Sequence, residues 1–364
     1  MKDKRAVTSQ RICIIGSTKK DVRGLNNAIP GVHFFSVCHR EEVLKYGALS
    51  GNFFRVVLRK SFPDNVDLTK ALRDYFSQPS KEFIPNYFGR QRFGWHRPTG
   101  HVLGWYLLKR NPLEGMRQLI SLVSLEEPEQ IRAERAQLIN ILNSREKKEL
   151  DNESLTFLRK ERSIVKSIFK NENTPWKTVY LFPRNTIRFY LHSVSSYIFN
   201  LYVMKRKELD CPLNTPIPGE KVQNGTPVAP IVGYHTPDHL DLQTDCGRII
   251  QEIMTELNLE FTDFNLQDQK HIWMTVKGSW RPLTVQWKAL KIFPPRGSST
   301  KQKLLNRVRT MPKTNESPII EVVLAPSTYF STFLRGFAKL IVPSPFNTFQ
   351  PLGSISEDLV LHTT

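Results

Sequence analysis

Residues 190–204 form the most apolar run of the chain, and they constrain the fold more than any other segment. The run carries His192, three serines and Asn200. It is too short and too polar to cross a bilayer, which needs about 20 consecutive apolar residues. It is also too apolar to lie open to water. The wider stretch 187–204 is therefore expected as a buried, central helix, with His192 a satisfied core histidine. A chain of 364 residues can close a large core around such a helix without disulfide or metal staples. The length suits about two ordinary domains.

The pattern on either side of that helix changes along the chain. In the first eighty residues, short β-branched or aromatic runs at 11–15, 32–37 and 52–58 read as strands. At 52–58 the period of two puts Asn52, Phe54, Val56 and Leu58 on one face, and Phe53, Arg55, Val57 and Arg59 on the other. Asp67 is placed to cap a helix running through Leu72 and Tyr75. From 111 to about 170 the apolar residues Leu119, Ile120 and Val123, then Ile131, Leu138, Ile141 and Leu142, recur at three and four, the amphipathic-helix period. The charged residues between them read as solvated faces. Segment 206–230, with five prolines, two glycines and an Asn-Gly pair, reads as irregular. Segment 294–318 holds six Lys/Arg against one acid, Glu316, and suits either phosphate contact or plain solvation. A clean strand follows at 319–324, and a tail begins near Leu352. The order α/β, then α-rich, then β suggests one domain split by an insertion, with the chain returning to finish the first sheet.

Charge bounds the partners. There are 52 Lys+Arg against 34 Asp+Glu, a formal net charge of +18. Such an excess attracts polyanions, above all nucleic acid, although a basic protein can be indifferent to them. The four cysteines, Cys13, Cys38, Cys211 and Cys246, include no close pair, so neither a metal knuckle nor a redox dithiol is expected. Their usage suits a reducing, intracellular compartment. Lys2, Asp3, Lys4 and Arg5 are followed by no long apolar stretch, so a signal peptide is not expected.

The common catalytic sets are missing from the sequence: no Gly-rich phosphate loop and no Gly-x-Ser-x-Gly elbow. His235, Asp238, His239 and Asp241 form the nearest metal-like cluster, but Pro237 interrupts any regular helix there, and surface polarity is the default reading. Two segments remain. Residues 1–10 place one carboxylate, Asp3, among Lys2, Lys4 and Arg5, which keeps it ionised and draws anionic substrate to it. Taken alone, this is a basic arm. Residues 85–94 hold two glycines, two arginines and three aromatics, suited to close backbone approach, phosphate contact and stacking. A tight turn with a local aromatic cluster explains them equally well.

The segment 85–94, Pro-Asn-Tyr-Phe-Gly-Arg-Gln-Arg-Phe-Gly, resembles the signature of the TruD family of RNA pseudouridine synthases. Lys2 to Thr8 with Gln10 resembles that family's catalytic motif, and Gly51-Asn52-Phe53-Phe54 with Leu58-Arg59 resembles a third. Segments 196–200, 281–283 and 324–335 match later family segments in family order. The resemblance implies an α+β fold: a pseudouridine-synthase core with a mixed, mainly antiparallel sheet and helices, interrupted by an α-rich TRUD insertion domain. It implies a core at 1–81 and 289–351, the insertion at 82–288 and a tail at 352–364. It implies Asp3 as nucleophile, with Asn52 and Phe54 lining the uracil pocket. Lys2, Lys4, Arg5, Asn86, Phe88, Gly89, Gln91, Arg92 and Phe93 are implied as structural or RNA-contacting motif residues. Covalent catalysis by a carboxylate needs no metal or cofactor. The expected partner is RNA, foremost tRNA, for a monomeric enzyme of the nucleus or cytoplasm with no membrane role.

The chain departs from the family pattern in four places. Family members carry a sizeable segment before the aspartate motif, so this sequence reads as truncated. Val194-Ser195 stand where an aromatic and a Gln are usual. Phe330-Ser331 replace a small pair, and Gly336 stands where an acid is common. The last three suggest a divergent member of the eukaryotic branch. The truncation keeps a second reading alive: an RNA-binding protein without activity. A DNA-binding regulator rests on charge alone.

Overall fold

The computed structural model describes residues 7–45, 48–58, 67–79, 83–94, 97–124, 127–151, 156–269, 274–294 and 317–341. The chain divides into two compact units, Met1–Lys81 with Trp287–Pro326, and Glu82–Gln286 with Ser327–Thr364. Labels below follow chain order. The fold is α+β, with antiparallel sheets and helices.

The first unit contains α1 (Lys19–Gly24), β1 (Asn52–Val57), α2 (Leu68–Ser77), β5 (Trp287–Phe293) and β6 (Ile319–Leu324). The three strands form an antiparallel sheet in the order β1-β6-β5. On β6 the burial alternates, so Ile320, Val322 and Leu324 share the covered face, as a period of two requires. Opposite them on β1 stand Val56, Phe54 and Asn52, whereas Phe53 is exposed. Arg55 reaches Glu321 directly across the ladder at 3.0 Å. A register shift between Lys288 and Lys291, with Ala289 at φ 54°, marks a β-bulge in β5. Asp67 caps α2 as expected, its carboxylate accepting from the Thr69 and Lys70 N–H groups. Phe76 of that helix meets Trp287 edge-on at 6.4 Å.

The strands expected at 11–15 and 32–37 do not form. The described residues 7–45 hold α1, a 3-10 turn at Leu25–Asn27 and irregular backbone. Ile12, Ile14, Ile15, Val32 and Phe35 are exposed. β-branched residues become a strand only where a neighbour pairs the backbone and covers one face. Among the described residues no strand pairs with either run. The basic loop expected at 294–318 lies outside the described residues from 295 to 316, as does the tail from 352.

The second unit contains α3 (Gly100–Leu108), α4 (Pro112–Ser121), α5 (Glu129–Ser144), α6 (Arg159–Lys170), α7 (Arg184–Glu208), β2 (Lys221–Gln223), β3 (Thr226–Ile231), α8 (Asp245–Glu256), β4 (Ser279–Pro282) and α9 (Phe330–Ile341). The central helix is α7, buried continuously from Ser193 to Asn200 and again at Tyr202, Val203 and Arg206. α3 packs on it so closely that a Cβ at Gly104 would sit 2.2 Å from the Tyr190 carbonyl oxygen, which only glycine permits. α4, α5 and α6 follow the three-and-four pattern, except that α4 stops at Ser121 and leaves Val123 exposed. Among the described residues no helix is long and apolar enough to cross a membrane.

Two further expectations are corrected here. The charged faces of α5 are not all solvated: Glu134 is buried and accepts from the Phe157 and Leu158 N–H groups at 2.8 and 2.9 Å. Buried Arg135 forms a two-point pair with Glu127. Segment 206–230 is also more regular than its prolines suggest. Asn224 and Gly225 take φ of 50° and 74°, which closes β2 and β3 into a hairpin of the Asn-Gly type. β4 completes the sheet β2-β3-β4.

Candidate functional site

Residues 85–94 are held from three sides within the second unit. Asn86 is fully buried. Its N–H donates to the Leu283 carbonyl at 2.8 Å, and its Nδ2 donates to the Pro282 carbonyl at 3.0 Å. Its own two oxygens accept from Arg281, the backbone O from Nε at 3.2 Å and Nη2 at 3.1 Å, and Oδ1 from Nη2 at 2.9 Å. Arg281 is itself 4% exposed. Its guanidinium lies 3.9 Å from the Phe88 ring centroid, a cation-π contact, and its Nη1 donates to the Ser327 carbonyl. Burial pulls the Arg281 guanidinium down to about 10, so it is still charged at neutral pH.

The second side is α7. The Asn200 Oδ1 accepts from the Phe88 N–H at 2.8 Å, and the Asn200 Nδ2 donates to the Phe88 carbonyl at 3.0 Å. One side-chain amide thus stands in for a strand neighbour. Ser193 donates to the Arg92 carbonyl at 2.8 Å, and Arg92 Nε donates to the Ser196 hydroxyl at 2.9 Å. The Arg92 guanidinium lies between the Phe88 and Phe189 rings, 5.6 and 5.3 Å from their centroids. Phe93 packs edge-on to His101 at 5.2 Å. The third side is the start of α9. Thr332 donates to the Tyr87 carbonyl at 3.1 Å, and a Cβ at Gly89 would sit 3.4 Å from the Ser331 and Thr332 hydroxyls. Gly94 has φ 128°, and a Cβ there would meet the Arg97 carbonyl oxygen at 2.0 Å.

Exposure divides the segment. Asn86, Phe88 and Phe93 are buried, Gly89 and Arg92 are half-buried, and Arg90 and Gln91 face solvent. A base cannot stack on a ring that other side chains already cover, so Phe88 and Phe93 are scaffold and not stacking platforms. The exposed part is the turn Arg90–Arg92. Cations gather around it: burial lowers the Arg335 guanidinium, and Arg90 beside it acts in the same direction.

Asn52 and Phe54 belong to the first unit. Asn52 is exposed and pairs with Leu324 through the ladder, while its side-chain amide forms no hydrogen bond among the described residues, and Phe54 is half-buried beside Val322 in register. Gly51 precedes them because a Cβ there would come within 2.8 Å of the Leu324 carbonyl oxygen. Lys2, Asp3, Lys4 and Arg5 lie outside the described residues.

The residues that hold the segment, Asn200 and Arg281, were visible in the sequence only as parts of 196–200 and 281–283. The signal for Asn200 was its position inside the most apolar run, where an amide needs partners. His192 differs from its expected role. It is half-buried, and its ring forms no hydrogen bond among the described residues. Burial, then the nearby Arg92 and Arg188, push the imidazole down to about 4. The cluster at 235–241 is an exposed turn in which His235 Nδ1 meets Asp238 at 2.8 Å.

The family model described as tRNA pseudouridine synthase D (TruD) matches residues 1–226. A protein of Methanopyrus kandleri described as a probable tRNA pseudouridine synthase D is 28% identical over 275 residues, covering 75% of this chain and 65% of the relative. A like-named protein of Pyrococcus furiosus is 34% identical over 236 residues, covering 62% and 53%. One from Thermococcus gammatolerans is 32% identical over 232 residues, covering 62% and 52%. The chain thus spans between about half and two thirds of the length of these relatives. A crystal structure of a Methanosarcina mazei protein assigned as tRNA pseudouridine synthase D superposes with a TM-score of 0.58 at 23% identity, over 80% of this chain and 70% of that one. This last likeness concerns the fold.

Proposed function

The chain belongs to the TruD family of tRNA pseudouridine synthases, and we propose that it isomerises uridine to pseudouridine in tRNA with Asp3 as nucleophile. The observation that carries this reading is the family match over residues 1–226. That span takes in the Lys2–Gln10 motif residues, Asn52 and Phe54, and the clamped segment 85–94. Asp3 attacks the target nucleoside, the C–N glycosidic bond breaks, and the freed uracil turns and rejoins the ribose through its carbon 5, releasing the Asp3 carboxylate and losing the carbon-5 proton to water. Lys2, Lys4 and Arg5 keep the Asp3 carboxyl ionised. A carboxylate nucleophile of this kind requires no cofactor.

In this reading Phe54 stacks on the extruded base and Asn52, whose side-chain amide has no partner among the described residues, hydrogen-bonds at the site. Extrusion of a base from folded RNA costs a few kcal/mol, and the basic surface offsets it through phosphate contacts. Arg90, Gln91 and Arg92 supply part of that surface. Residues 1–81 and 289–351 make the synthase core, 82–288 the inserted domain and 352–364 a tail; by compactness alone, 327–341 group with the inserted helices. The partner is tRNA, the enzyme is monomeric, and it works in the nucleus or cytoplasm.

The test is tritium release from uridine-containing tRNA transcripts labelled at carbon 5, because that carbon loses its hydrogen when the new C–C bond forms. Release above the enzyme-free rate is expected. A chain that binds the transcripts tightly but releases no tritium is instead an RNA-binding protein.

A further inference from the structure

We propose that a backbone phosphate of the RNA seats in a small cleft of the second unit, between the start of α7 and segment 274–276, held by Arg184 and Arg188 with His192 at its inner end. The proposal rests on the RNA reading above and adds a second contact site to it. The cleft has a volume of about 130 Å³ and is lined by Arg184, Arg188, His192, Met274, Thr275 and Val276. That is too small for a drug-sized ligand, whose pockets begin at roughly 300 Å³, and it suits a single small anion.

Three observations specify the charge and chemistry of the occupant. First, Arg184, Arg188 and His192 are spaced by four, so they form one stripe along α7, with neighbours about 6 Å apart along the axis. Second, no acid is among the lining residues, and Arg188 is exposed with no carboxylate partner among the described residues. Third, burial first, and then Arg92 and Arg188, hold the half-buried His192 ring neutral, so both arginines lie near enough to the ring to set a positive local potential that an anion would relieve.

The rest of the cleft points to a phosphate of the backbone and not to a base. Thr275 already donates its hydroxyl proton to the Asn265 Oδ1 at 2.9 Å, and Met274 and Val276 are apolar, so recognition falls to the cations. Such contacts position a nucleic acid without reading its sequence. The N-terminus of α7 carries Pro183 with no side-chain cap, and its partial positive charge adds to the same pull. Arg92 acts on the His192 ring and belongs to the turn Arg90–Arg92, which places the cleft near the exposed Arg90 of that turn.

The experiment measures binding of a uridine-containing tRNA transcript as a function of salt for the wild-type chain, Arg188→Gln, Arg184→Gln/Arg188→Gln, Arg188→Lys and Arg159→Gln. Arg159 is an exposed cation at the start of α6 and controls for net charge. We expect Arg188→Gln to weaken binding about fivefold at 0.1 M salt and to flatten the log–log salt slope by about 0.7–0.9. The double variant should lose more, Arg188→Lys should recover most of the loss, and Arg159→Gln should stay within about twofold. Unchanged melting temperatures exclude misfolding as the cause. Wild-type affinity and slope in both glutamine variants would overturn the proposal, and so would an equal loss in Arg159→Gln. If the wild-type chain does not bind the transcript, the RNA reading fails and inorganic phosphate decides about the cleft. A phosphate-induced rise of the His192 pKa from about 4, abolished by Arg188→Gln, then leaves an anion site but overturns its RNA occupant. No rise overturns both.

Discussion

Asn200 makes two hydrogen bonds to the backbone of a single residue, Phe88, from inside the buried central helix α7. Replacing it with Ala leaves a buried N–H and a buried C=O unpaired, at about 1–3 kcal/mol each. Asn200→Ala should therefore lower unfolding stability by about 2–6 kcal/mol, read as a shift in denaturant midpoint at constant slope. A change below about 0.5 kcal/mol, the scale of an ordinary surface substitution, would show that the segment 85–94 is not held this way. His101 is a second buried residue with a measurable signature. It stacks on Tyr197 at 4.7 Å, its Nδ1 has no partner among the described residues, and burial pushes it down to about 4. The unfolded ring titrates near 6.5. Between those values the unfolded chain takes up a proton that the folded chain refuses, so stability falls as pH drops from about 6.5 to 4, by on the order of 3 kcal/mol for this group. In His101→Phe the decline measured by denaturation across that range should be shallower. An identical decline would place the titrating group elsewhere.

Among the elements, α7 organises the second unit at both ends. Near its C-terminus Arg206 and Glu220 form a fully buried pair at 3.0 Å, and the Tyr202 hydroxyl donates to the same carboxylate oxygen at 2.6 Å. Arg206 also donates to the carbonyls of Cys211 and Thr215, so one guanidinium ties the loop before β2 to the helix. Removing one partner of such a pair leaves an uncompensated buried charge, at about 3–5 kcal/mol. Glu220→Ala should cost that much in a chemical denaturation series, and a loss under about 1 kcal/mol would contradict the assignment. The helices were legible because their apolar periods are local: 187–204 and 111–170 emerged as α7 and as α4, α5 and α6. The runs 11–15 and 32–37 carried the same kind of local signal but lacked a described strand to pair with, and pairing is not encoded in a run itself. The buried Glu134 and Arg135 were misread for a related reason. A charge on a helix gives no sign, by itself, of the backbone N–H groups or the carboxylate that tertiary packing brings to it. The hairpin at Asn224-Gly225 was signalled by its dipeptide and obscured by five surrounding prolines.

At the scale of the whole molecule, the net charge of +18 makes the proposed RNA affinity largely electrostatic. The log of the binding constant for tRNA should fall linearly with the log of salt concentration, each phosphate contact contributing about 0.7–0.9 to the slope. An affinity flat between about 0.05 and 0.2 M salt would contradict a phosphate-dominated interface. Much of the site was legible as motif, but its internal logic was not. Arg281 and Asn200 lie far from segment 85–94 in sequence, and only the fold brings three-sided support to it. The most direct test of the central claim is single-turnover tritium release by Asp3→Asn beside the wild-type chain on the same tRNA transcript, with affinity measured in parallel. Pseudouridine formation should be abolished in Asp3→Asn while RNA affinity stays within about threefold, because the substitution removes the proposed nucleophile and leaves the phosphate contacts in place. Turnover retained by Asp3→Asn would mean that Asp3 is not the nucleophile.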